Sequence, residues 1–197
     1  MKLIPALLIV GMLAVSGCSK EVKKIESYSP ELVKKAEAGD ANAQCDLAFR
    51  YSRGKGVTQD YKEAVKWWTR GAEQGNAKAQ YNLGWCYAHG EGVTQDYKEA
   101  VKWLTKSAEQ GRASAQYMLG FCYYAGRGVT KDDKEAVKWF TKSAEQGNTG
   151  AQVILGNCYY KGEGVTQDKK EAVKWRTKAS EQNDANAKEQ LEKLKSL

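Results

Sequence analysis

Histidine is almost missing from this chain, which carries one, His89, in 197 residues. That scarcity removes most nucleophile–base pairings and most zinc sites, because both draw on imidazole. No CxxC pair occurs either, so the usual cysteine metal-site and dithiol patterns are missing. No run of five like charges appears, which argues against a nucleic-acid-binding arm. The one long apolar stretch, Leu3 to Val15, is thirteen residues, whereas a membrane-spanning helix needs about 20. The four G-x-G segments lack Walker spacing and recur too regularly for phosphate loops, so they read as turns.

The start of the chain has a definite layout. Lys2, the apolar stretch and the small residues of Val15-Ser16-Gly17-Cys18 describe a secretory signal. The tetrapeptide VSGC also resembles the bacterial lipobox, which implies cleavage before Cys18 and lipidation of that residue. An ordinary signal peptide with a chance cysteine, or a short anchor, is the alternative. By the same resemblance, Ser19 rather than Asp after the cysteine implies a bacterial outer-membrane lipoprotein facing the periplasm. Residues 1–17 are then a signal peptide and 18–28 a tether. Without 1–17 the chain keeps 30 basic and 24 acidic side chains, net +6. The charges are interleaved, as in KEAVKW, and suit solvated helix faces. The positive excess leaves room for an acidic protein partner or anionic lipid head groups.

What the sequence has in abundance is itself. GVTQDYKEAVKW stands at residues 56–67 and again at 92–103, with near copies from Gly128 and Gly164, always 36 apart. Four gapless units follow: 39–74, 75–110, 111–146 and 147–182. A period in this range marks a solenoid or another array. Within each unit, Ala79, Leu83 and Tyr87 and their equivalents lie four apart, an apolar stripe at helical spacing. Asp40, Asn76 and Asn148 precede the stripe as N-caps, a role Arg112 departs from. A G-x-G-V turn ends this first helix.

The second helix is announced by Asp60, Asp96, Asp132 and Asp168, each three residues before a glutamate, the spacing of a capping box. Gly84, Gly120 and Gly156 let the partner helix approach, and Trp67, Trp103, Trp139 and Trp175 are expected to fill the space between units. The prediction is an all-α, right-handed α-solenoid of four 36-residue helix-turn-helix repeats. Residues 29–38, opening on Ser29-Pro30, form an N-terminal capping helix, and 183–197 a C-terminal one. Cys86, Cys122 and Cys158 fall at one place in three units, and stacked helices sit about 8–10 Å apart, too far for a disulfide. With Cys45 they read as free buried thiols. A Cys45–Cys86 bridge is the alternative.

The pattern AxxxLGxxYxxGxGVxxDxxKEAVxW resembles the Sel-one-like repeat, a relative of the tetratricopeptide repeat. The resemblance implies a non-catalytic adaptor that binds a protein on a concave face lined by the first helix of each unit. It names no partner and no cofactor. Bacterial lipoproteins with this repeat also resemble immunity partners of secreted phospholipase effectors, which gives a sharper alternative: a stoichiometric toxin inhibitor. An enzymatic reading is weak, since the recurring carboxylates are helix caps.

In near-identical units, function belongs where the units differ. The face of the first helix away from the stripe leucine varies and is rich in rings. Phe49, Tyr81, Trp85, Tyr117, Phe121, Tyr124 and Tyr160, with Asn157 and a rim residue His89, are the candidate partner-binding residues. The competing reading is that these rings pack against the next unit's helix and close the groove.

Overall fold

The second helix of every unit starts at an aspartate, and the bonds it makes explain the repeated dozen residues. Asp60, Asp96 and Asp168 each accept from two first-turn amides at 2.8–3.2 Å, and Asp132 accepts from the Glu135 amide at 2.9 Å. Only half of the expected capping box forms. The backbone amide of each aspartate donates to a carbonyl of the preceding helix, from Tyr51, Tyr87, Tyr123 or Tyr159, at 2.9–3.0 Å. No orphan amide is therefore left for the glutamate. Glu63, Glu99, Glu135 and Glu171 pair instead with the lysines three residues on, which are solvent-screened contacts.

The computed structural model describes residues 29–182. Nine α-helices and no strand make up these residues: α1 (Pro30–Glu37), α2 (Ala41–Arg53), α3 (Tyr61–Glu73), α4 (Ala77–His89), α5 (Tyr97–Glu109), α6 (Ala113–Ala125), α7 (Asp133–Glu145), α8 (Thr149–Lys161) and α9 (Lys169–Glu181). Helix α1 stands alone before four pairs, and each closely packed pair of helices is consecutive in the chain. That is an α-solenoid. The expected signal peptide, the expected tether with Cys18 and the expected C-terminal capping helix all fall outside the described residues.

The first helices are capped as their sequences dictate. Asp40, Asn76 and Asn148 accept from the amides of Ala43, Ala79 and Ala151 at 2.6–2.9 Å. Arg112 makes no side-chain cap. Its guanidinium lies instead 5.0 Å from the centre of the Tyr81 ring in the preceding unit.

Packing follows the stripe. Leu47, Leu83, Leu119 and Leu155 are at most 1% exposed, each burial stabilising by roughly 1.5–3 kcal/mol. Where Gly84, Gly120 and Gly156 stand, a Cβ would come within 2.8–2.9 Å of Leu104, Phe140 and Arg176 of the facing helix. The glycines therefore set the helix separation. Trp103 and Trp175 are buried, Trp67 and Trp139 half-buried, in clusters that join adjacent helix pairs. A basic residue three positions on lies over each ring: Arg70, Lys106, Lys142 and Lys178, at 4.3–4.5 Å from the ring centre. Part of the chain's positive charge is spent covering tryptophan.

The G-x-G turns do two jobs. The first glycine, such as Gly90, closes its helix with φ +73. The second faces the unit before it. A Cβ on Gly92, Gly128 or Gly164 would enter the carbonyl oxygen of Tyr61, Tyr97 or Asp133.

A glutamine ladder joins the units, and its fourfold recurrence was the signal that the sequence reading passed over. Buried Gln44, Gln80, Gln116 and Gln152 donate to the carbonyls of Ala36, Ala72, Ala108 and Ala144 at 3.0–3.1 Å. They accept in turn from Gln74, Gln110, Gln146 and Gln182 at 2.7–2.9 Å. Each rung thus ties a first helix to the end of the second helix before it and to the one after it.

Candidate protein-binding face

The nine candidate residues all lie on the first helices, and none of them is fully buried. Each makes contacts of its own. Phe49 meets Trp68 edge-on, with ring centres 5.6 Å apart and planes at 86°. Tyr81 carries the Arg112 guanidinium on its ring, and burial raises its phenol above the usual range against that cation. Trp85 stacks on His89 at 4.2 Å, and His89 Nδ1 lies 2.9 Å from the Trp85 carbonyl oxygen. The one histidine is therefore an exposed lid on a ring rather than a poised base.

Tyr117 and Tyr124 flank Phe140, with ring centres 6.1 and 6.4 Å away. The Tyr124 hydroxyl donates to Glu163 Oε2 in the next unit at 3.1 Å, and this bond holds the phenol above its usual range. Phe121 lies 5.5 Å below the Arg127 guanidinium. In the fourth unit, Asn157 Oδ1 accepts from Arg176 Nη2 at 2.7 Å, and the same guanidinium sits 5.3 Å from the Tyr160 ring.

The rings thus have an inner side and an outer side. The inner side packs on the second helix of the same unit, at Trp68, Phe140 or Arg176, while Phe49, Tyr81 and Tyr124 also touch Lys78, Arg112 and Glu163 of the next unit. Sequence reasoning missed this column. Trp68, Leu104, Phe140 and Arg176 directly follow the repeated tryptophan and are 0–6% exposed. Their signal was available: past the helix's first residue, this is the position whose character changes most. Between these candidates along the same helices, Ser52, Ala88 and Val153 are buried, as is Cys45. Each first helix lies between two second helices and hides more than the leucine stripe.

Two hollows open along these helices. One, about 260 Å³, is lined by Asp46, Phe49, Arg50, Arg53, Lys55 and Lys78. The other, about 320 Å³, lies between the second and third units against His89, Tyr97, Tyr117, Met118, Phe121 and Arg127.

Chemistry of other kinds finds little foothold. Cys45, Cys86, Cys122 and Cys158 are free and buried. Burial pushes their thiols up to about 11, 12, 11 and 11, so they stay protonated and unreactive at neutral pH. The Cys45–Cys86 bridge does not form. Among the described residues no group of three or more His, Cys, Asp or Glu side chains is placed to hold a metal ion. The recurring aspartates are spent on helix caps.

Comparison with known proteins points the same way. A protective antigen present in uropathogenic Escherichia coli strains, displaying an SLR fold, is 45% identical, with a TM-score of 0.79 over 82% of this chain and 34% of that one. A Sel1 repeat protein from Oxalobacter formigenes is 40% identical, with a TM-score of 0.75 over 83% of this chain and 48% of that one. The chain thus spans about a third and about half of these two structures. An immunity protein from Pseudomonas aeruginosa, 22% identical with a TM-score of 0.52 over 79% of this chain and 58% of that one, shares the fold alone. No curated protein matches. The Sel1 repeat model matches residues 41–76, 77–111, 113–148 and 149–184. With four such matches covering most of its length, the chain belongs to the Sel1 repeat family, whose members are generally non-enzymatic scaffolds for protein interaction.

Proposed function

We propose that this protein is an adaptor that grips a protein segment along the face formed by its first helices, held to a bacterial envelope membrane by lipid at Cys18. One observation carries the binding face. In units otherwise duplicated, the column Phe49, Trp85, Phe121 and Asn157 changes, stays partly open to solvent and is aromatic at three of four places. Rings of this kind supply anchor area at low entropy cost. The anchor and the outer-membrane, periplasm-facing location rest on the VSGC sequence.

The test is crosslinking in the native envelope followed by mass spectrometry of what is captured. Trp85→Ala with Phe121→Ala should lose the captured protein while the helical circular-dichroism signal stays. An unchanged set of crosslinks would refute the face. For the anchor, Cys18→Ser should release the protein from the membrane fraction.

A second reading narrows the first: the partner is a secreted toxin, such as a phospholipase effector, and the adaptor is its immunity protein. The name of the Pseudomonas aeruginosa relative motivates it, although that likeness concerns the fold alone. Deleting the gene should then sensitise cells to attacking neighbours. Full resistance in the deletion strain would remove this reading and leave the adaptor standing.

A further inference from the structure

The first unit departs from the others at the end of its first helix, and the departures share one sign. Arg50 stands where the later units bury Cys86, Cys122 and Cys158, and Lys55 where the second and fourth carry Glu91 and Glu163 and the third carries Arg127. Arg53 and Lys78 join them around the 260 Å³ hollow, whose one lining carboxylate, Asp46, is engaged by Lys78 at 3.3 Å. Phe49 forms the hollow's apolar wall, with the Lys78 ammonium 4.5 Å and the Arg53 guanidinium 5.3 Å from its ring centre. Among the described residues only α1 precedes this helix, so polar side chains here suit the end of an array. Capping alone would be served equally by both signs. Four cations against one occupied carboxylate is a bias that capping does not require.

We propose that this hollow receives an acidic segment of the protein partner, with its carboxylates against Arg50, Arg53 and Lys55 and an aromatic or aliphatic side chain on Phe49. This inference rests on reading the Phe49–Trp85–Phe121 column as the binding face. It gives that face a direction: an acidic stretch at the first unit, and apolar side chains at the hollow beside Tyr117 and Phe121. Guanidinium and ammonium groups bind carboxylates through charge-assisted bonds, and complementary charge steers encounter and fixes register. The cations line a concavity continuous with an aromatic column, which favours a peptide over a flat anionic membrane.

The experiment uses the full chain purified in detergent and two fluorescein-labelled heptapeptides: one tryptophan flanked by six glutamates, and its counterpart flanked by six glutamines. Fluorescence anisotropy should show the glutamate peptide binding about tenfold or more tightly, with the difference shrinking as salt rises from about 50 to about 500 mM. Arg53→Glu with Lys55→Glu should abolish the preference, and Lys169→Glu with Lys170→Glu, the same change of net charge on α9, should keep it. Equal affinity for both peptides, or equal loss in both charge variants, overturns the proposal. So does binding to phosphatidylglycerol vesicles that the Arg53/Lys55 variant abolishes, if the peptides are not distinguished. If Trp85→Ala/Phe121→Ala loses its envelope crosslinks while the Arg53/Lys55 variant keeps them, the adaptor reading survives and the acidic segment alone is refuted.

Discussion

The third and fourth units share a backbone plan and differ in one buried slot. In the third, Phe140 fills it, fully hidden above Gly120, with Tyr117 and Tyr124 around it. In the fourth, Arg176 lies above Gly156, its guanidinium bonded to Asn157 and beneath Tyr160. The surface column changes with the slot: Phe121 outside in one, Asn157 in the other. The lesson is that the outward chemistry of each unit is set from within. An apolar filler supports a ring outside, and a cationic filler recruits an amide. Burying that guanidinium carries a desolvation cost, which lowers the Arg176 pKa from its ordinary value.

Four tests break or sharpen this comparison. Phe140→Ala should have the largest effect, about 3–5 kcal/mol by urea denaturation, because it removes a fully buried ring and leaves a cavity above Gly120. A loss under about 1 kcal/mol would show that the slot is not what holds the pair together. Next comes a double-mutant cycle that rebuilds the second unit's combination in the fourth, Asn157→Trp with Arg176→Leu. Each change alone mismatches polar and apolar partners, so the pair should be more stable than the sum of its singles by about 2 kcal/mol. Additivity would mean that the surface column and the slot are independent.

Third, Gly120→Ala should cost about 1–2 kcal/mol net, since its Cβ meets the rigid Phe140 ring at 2.8 Å. Gly156→Ala meets the flexible stem of Arg176 at 2.9 Å and gains helix propensity, so its melting temperature should change less. The reverse order would refute ring rigidity as the cause. Smallest is Tyr124→Phe, which removes the inter-unit bond to Glu163 and should cost about 1 kcal/mol. Chemical denaturation resolves that value against the wild type.

The array was legible in the sequence because repetition exposes the parts that build backbone. Gly90, Asp96 and Leu83 recur for local reasons, a turn, a cap and a buried stripe, and local reasons can be read one segment at a time. The capping box was only half legible. Whether Glu99 reaches back depends on the Asp96 amide, and that amide is taken by the Tyr87 carbonyl of another helix. The candidate face was legible as a list of variable rings, whereas its inner contacts were not. Phe140 and Arg176 join Tyr117 and Asn157 across an interhelical gap whose width is set by a glycine, Trp68 joins Phe49 across one set by Ala48, and no single segment records that distance. The buried state of Ala88 and Val153, on a face that periodicity alone leaves open, has the same origin. A helix held between two others hides more of itself than one stripe.

The glutamine ladder has a consequence for how such a chain changes over evolutionary time. Gln80 and Gln116 use the same atoms on the same backbone partners, so every junction is a standard coupling that accepts any neighbour of its kind. A tandem duplication of 36 codons would insert a unit whose couplings already fit on both sides, and a deletion of the same size would close without a seam. Array length can then drift freely, while selection works on the slot and the surface column inside each inserted copy. Recombination within the shared GVTQDYKEAVKW stretch, which lies between Trp85 and Leu104, would instead join the surface residue of one copy to the filler of another, and selection would then act on the match between them.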